Sequence, residues 1–76
     1  MIWDIELDTI GLLCPLPVLK ARKKLMSMKN GEVLLIIADD PASVIDVPHF
    51  CVESGHSLLS HEAIDGKIQF LIRKKG

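Results

Sequence analysis

Apolar and polar positions alternate from Ile2 to Leu7, with Trp3, Ile5 and Leu7 on one side and Asp4, Glu6 and Asp8 on the other. A period of two is that of a strand with one buried face, so this segment predicts the first strand. Thr9 to Leu13 contains Gly11 and reads as a loop, and Pro15 follows where a helix best tolerates proline, in its first turn. Val18, Ala21, Leu25 and Met28 then share one side at about 100° per residue, predicting a helix from Pro15 to Met28 with a left-handed cap at Asn30-Gly31. Glu32 to Ala38 is nearly continuous in apolar residues, the pattern of a central strand covered on both faces.

Asp39-Asp40-Pro41 predicts a turn with an acidic cap for a second helix over Ala42 to Ser54, where Val44, Val47, Phe50 and Cys51 recur at helical spacing. Pro48 should interrupt that helix, giving a first turn, a kink and a second start capped by Asp46, with Gly55 ending the element. Ser57 to Ile64 and Lys67 to Arg73 read as two antiparallel strands joined by Asp65-Gly66, a favoured type I′ hairpin pair. In the last strand Ile68, Phe70 and Ile72 face one side and Leu71 the other. The resulting β-α-β-α-β-β order, with right-handed crossovers, predicts an α/β (α+β type) two-layer sandwich. Both helices lie on one face of a mixed four-stranded sheet, and the other face is partly open.

At 76 residues the chain is expected to form one domain over 1–76, too small to enclose a deep substrate cavity. Hydrophobic content of 49% with 25% charged residues is that of a globular protein. The longest apolar run, Val33 to Ala38, is six residues, against the roughly 20 of a membrane helix. The opening Met1-Ile2-Trp3-Asp4-Ile5-Glu6 is acidic where a secretory leader would be basic, so no membrane partner and a cytoplasmic location are expected. A net charge of −1 argues against direct nucleic-acid binding, and a monomer is expected. Five cations, Lys20, Arg22, Lys23, Lys24 and Lys29, nonetheless lie between Pro15 and Lys29 with no acid among them. They form either a solvated helix face or a docking face for an acidic partner.

Cys14 and Cys51 are too few and too far apart for a disulfide framework or a dithiol redox pair. Cys14 stands at the start of the first helix, where free backbone N–H groups and the positive dipole end favour a thiolate, so a pKa below that of a free cysteine is expected. Pro15 and Pro17 fix the backbone so that the sulfur projects outward. Pro17 occupies the fourth place of Cys14-Pro15-Leu16-Pro17, where a dithiol oxidoreductase carries its resolving cysteine. Cys51 falls on the apolar side of the second helix and reads as core. His49, Cys51, His56 and His61 have no standard metal-ligand spacing, so neither metal nor cofactor is expected, and His56 after Gly55 reads as a capping residue. Leu16 lies about 160° from Val18 on the helical wheel, on the side of Lys20, Lys23 and Lys24, while Arg22 lies nearer the core edge. These four solvent-side residues form a candidate docking surface beside the sulfur.

Gly11-Leu12-Leu13-Cys14-Pro15-Leu16-Pro17, followed by Gly31-Glu32, Asp39-Asp40-Pro41-Ala42, Asp46-Val47-Pro48-His49-Phe50-Cys51 and Gly55-His56, resembles the TusA/SirA family of small sulfur carriers. The resemblance spans nearly the whole chain. It implies that Cys14, supported by Gly11, Pro15 and Pro17, receives sulfane sulfur as a persulfide from a cysteine desulfurase. Cys14 would then hand it to a relay protein or thiolation enzyme, without a substrate pocket of its own. In well-studied members the sulfur ends in 2-thiouridine of tRNA, and other members serve molybdenum-cofactor assembly or sulfur oxidation. The rival reading is a redox or regulatory binding module on the same fold.

Overall fold

The computed structural model describes residues 2–75. In chain order the elements are β1 (Ile5–Asp8), α1 (Leu16–Met26), β2 (Val33–Ala38), α2 (Ser43–Ser54), β3 (Ser57–Ile64) and β4 (Lys67–Arg73). The sheet order is β1-β2-β4-β3, with β1 parallel to β2 and the other pairs antiparallel. This is the expected two-layer α+β fold with a mixed four-stranded sheet.

The core forms where the helical stripes meet one face of the sheet. Ala21, Leu25 and Met28 from the α1 side and Val47, Phe50 and Cys51 from α2 pack against Leu34, Ile36, Ala38, Phe70 and Ile72. Ile5, Leu7, Val18, Leu58 and Ile68 close its rim. On the opposite face Val33 and Leu35 are also buried, so β2 is covered on both sides as its unbroken apolar run requires. Trp3 departs from the expected inward row and lines a hollow on that second face with Leu35 and Leu71. The cause is Asp4, which bends the chain: its N–H donates to Val33 O and its carboxylate accepts the N–H of Val33, both at 2.8 Å. The ladder therefore starts at Ile5, three residues later than the alternation indicates.

Other boundaries shift for identifiable reasons. The α1 helix ends at Met26 and not at Met28, with Ser27 as its right-handed cap and the Ser27 hydroxyl donating to Lys24 O at 2.7 Å. Gly31 does have the left-handed φ of +85°, but it uses it in the turn into β2, where its N–H donates to Lys74 O at 3.0 Å. The α2 helix runs through Pro48 as one element from Ser43 to Ser54, without the second start expected at Asp46. Proline removes one intrahelical donor there, and burial of Val47, Phe50 and Cys51 on either side of it outweighs that single loss. Gly55 ends α2 at φ +82°, and β3 and β4 have the expected limits, with Asp65 and Gly66 both at positive φ as a type I′ turn demands. Among the described residues no helix is long and apolar enough to cross a membrane.

Candidate functional site

The loop from Thr9 to Pro15 is held to the sheet and to the connection before α2. Buried Thr9 donates both its N–H and its hydroxyl to Ile37 O, at 2.8 and 2.7 Å. The N–H of Leu12 donates to Thr9 O at 3.1 Å, closing a turn in which Gly11 takes φ +83°, a conformation that favours glycine. Two carboxylates then reach the loop from the far side of β2. Asp39 Oδ1 accepts the N–H of Gly11 at 3.0 Å, and Asp40 Oδ2 accepts that of Cys14 at 2.6 Å. The acidic pair expected to cap α2 thus anchors the cysteine loop. No side-chain cap bond forms at the helix N-cap, Ala42, and Asp40 supports the first turn from outside by accepting the N–H of Ala42 on Oδ1 at 3.2 Å.

Cys14 is exposed and stands one residue ahead of the α1 N-cap, which is Pro15. This placement weakens the expected helix-start effect: Pro15 and Pro17 have no N–H, and the N–H of Leu16 is taken by Leu13 O at 2.8 Å. Acids surround the sulfur instead. Hydrogen bonding to Asp46 raises the Cys14 pKa above its ordinary value, and local desolvation and the negative charges of Asp46 and Asp40 act in the same direction. The direction is opposite to the lowering expected from the sequence, and it favours the neutral thiol.

An open groove of about 260 Å³ runs from Cys14 between the helices. From one side Pro15, Val18, Leu19 and Arg22 line it, and from the other Asp46, His49, Phe50 and Glu53. Each set has the spacing i, i+3, i+4, i+7, so the groove is the seam between two facing helical stripes. The His49 Nε2 and Glu53 Oε1 atoms lie 3.2 Å apart on its outer rim. The family model for sulfurtransferase TusA matches residues 5–74, from the start of β1 to just past β4. The chain belongs to the TusA sulfurtransferase family.

A solved SirA-like protein from Desulfitobacterium hafniense superposes with a TM-score of 0.85 at 25% sequence identity, covering 96% of this chain and 100% of that one. Within this fold the two cysteines are sharply divided. Cys51 is 3% exposed within the core, and burial pushes its thiol up to about 11, whereas Cys14 opens to solvent.

The residues singled out from the sequence do not all meet. Leu16 is 45% exposed near Cys14, as expected. Lys20, Lys23 and Lys24 line a different groove with Leu7 and Ser27, on the β1 side of α1, and the cation on the Cys14 groove is Arg22. Asp46 and Arg22, read from the sequence as a cap and a core-edge residue, both belong to the groove. Their membership in two matching stripes was the available signal. The histidines disperse. His56 Nδ1 accepts the N–H of Lys75 at 3.0 Å beside Phe50, with its pKa lowered by burial, Lys74 and Lys75, while His61 stacks on Phe70. Among the described residues no three metal-ligating side chains gather.

Proposed function

We propose that this member of the TusA family carries sulfane sulfur as a persulfide on Cys14, between a cysteine desulfurase and an acceptor thiol in the cytoplasm, for 2-thiouridine formation in tRNA. The observation that carries this reading is the exposed Cys14 at the groove mouth, set against the buried Cys51. The Cys14 thiol gives its proton to water and attacks the terminal sulfur of the donor persulfide as a thiolate. The donor S–S bond breaks, its cysteine leaves as thiolate, and Cys14–S–SH forms. The acceptor thiolate repeats the exchange on the carried sulfur. Two electrons move with each bond exchange and no external oxidant or reductant enters. Neither step uses a resolving cysteine, consistent with Pro17 at that place in the sequence.

Gly11, Pro15 and Pro17 hold the sulfur at the surface, and exposed Leu16 gives a partner an apolar contact beside it. Lys20, Lys23 and Lys24 extend the docking surface along α1. The tRNA end use rests on the family resemblance. Incubation with a cysteine desulfurase and cysteine, followed by intact mass and peptide mapping, tests the carrier. One added sulfur is expected on Cys14 in the wild type and in Cys51→Ala, and none in Cys14→Ser. Loading that follows Cys51 overturns the assignment.

A further inference from the structure

We propose that Asp46 is a catalytic residue that accepts a hydrogen bond from the carried persulfide and keeps its terminal sulfur protonated, so that the carrier gives up neutral, electrophilic sulfur. This rests on Cys14 being the loaded residue. A persulfide S–H is more acidic than its parent thiol because the adjacent sulfur stabilises the anion. Left in water, it ionises to a perthiolate, which is a nucleophile and repels an attacking thiolate. Outward transfer needs the opposite form.

The surroundings of Cys14 supply it. Asp46 faces the same groove as Cys14 from α2, and Asp40 accepts the Cys14 N–H at 2.6 Å, so two carboxylates stand by the sulfur and act to raise its pKa. A second sulfur lies about 2 Å beyond the first, and the groove of about 260 Å³ that Cys14 and Asp46 both line has room for it. The other charged groups on that groove are Arg22 from α1 and the paired His49 and Glu53 from α2. Among the described residues Asp46 takes part in no ion pair, while His49 and Glu53 are paired with each other. The prevailing influence on Cys14 is acidic, in the direction that retains a proton.

In the transfer step the acceptor thiolate attacks the terminal sulfur, the new S–S bond forms, and the Cys14–sulfur bond breaks. The proton travels with the transferred sulfur, and Cys14 leaves as a thiolate that takes a proton from water and returns to Asp46.

The test loads wild type, Asp46→Asn and Asp46→Glu through the desulfurase, confirms one added sulfur by intact mass, and removes the donor. Two probes then read the two protonation states across pH. Cyanide attacks the protonated persulfide, giving thiocyanate and the free Cys14 thiol, and iodoacetamide alkylates the perthiolate. Asp46→Asn should form thiocyanate more slowly and alkylate faster, the ratio of the two rates shifting by about tenfold if the persulfide pKa falls by one unit. Asp46→Glu should restore both rates toward wild type. A purely structural role would move both rates together. If loaded Asp46→Asn matches wild type with both probes, the inference fails while the carrier reading stands, and failure of wild-type Cys14 to load overturns the carrier reading itself.

Discussion

The backbone N–H of Cys14 donates to Asp40 Oδ2 at 2.6 Å, joining the cysteine loop to the start of α2 across 26 residues of sequence. Asp40 also accepts from Ala42, so one carboxylate ties the site to the fold. Asp40→Ala should cost roughly 1 kcal/mol, since a charged acceptor is lost but at an exposed site where water replaces it. Urea denaturation measures that cost. Amide exchange at Cys14 should accelerate, whereas Asp39→Ala should accelerate exchange at Gly11 and leave Cys14 nearly unchanged.

The resting thiol provides a second prediction, separate from the behaviour of the loaded carrier. Asp46 and Asp40 raise the Cys14 pKa, so the midpoint of alkylation rate against pH should lie above that of an ordinary cysteine. Removing the carboxylate in Asp46→Asn should lower the midpoint and speed alkylation at neutral pH. A wild-type midpoint below the free-cysteine value would restore the helix-start effect as the dominant influence.

Local signals located the elements, and long-range contacts made the site. The Asp65-Gly66 turn and the alternation on either side determine β3 and β4 within a few residues of chain, so their limits were legible. Pro48 was misleading because its local penalty is visible in the sequence, while the buried side chains that override it are recognisable only once α2 is packed. The Asp39 and Asp40 contacts with the cysteine loop depend on β2 carrying the acids past it, which periodicity does not encode. For the same reason Cys14 was recognised as the candidate sulfur while its ionisation was misjudged: the helix start is local, and Asp46 arrives from another helix.

Cys51 gives the fold an alkaline dependence. Its thiol is raised from 9.0 to about 11 by burial, so the unfolded chain ionises first as pH rises. The stability contributed by the neutral buried thiol is complete below about pH 9 and is lost progressively toward pH 11, by roughly 2–3 kcal/mol for a two-unit shift. Cys51→Val, similar in volume and without a proton to lose, should flatten that part of the curve. Urea midpoints of both proteins between pH 8 and 11 check this, and parallel declines would count against it.

Docking can be divided by the two grooves beside α1. Arg22 lies on the groove that begins at Cys14, whereas Lys20, Lys23 and Lys24 lie along the β1 side. A partner that covered Cys14 would also cover Arg22 on the same groove and would meet the lysines only at its rim. Rim charges change association rate and its salt dependence, and a desolvated charge changes how long the complex lasts. Lys20→Glu with Lys23→Glu should therefore slow sulfur loading several-fold at low salt and approach wild type as salt shortens the electrostatic range to about 3 Å near 1 M. Arg22→Glu should slow loading at every salt concentration, because the reversed charge stands in the groove with Asp46 and Glu53. Leu16→Asp should do the same by removing the apolar contact and adding an acid near the sulfur. Loading rates against a cysteine desulfurase across a salt series, with unfolding midpoints as a folding control, give the comparison. If the lysine reversals load at the wild-type rate in low salt, the lysine stripe is a solvated helix face and docking belongs to the Cys14 groove alone.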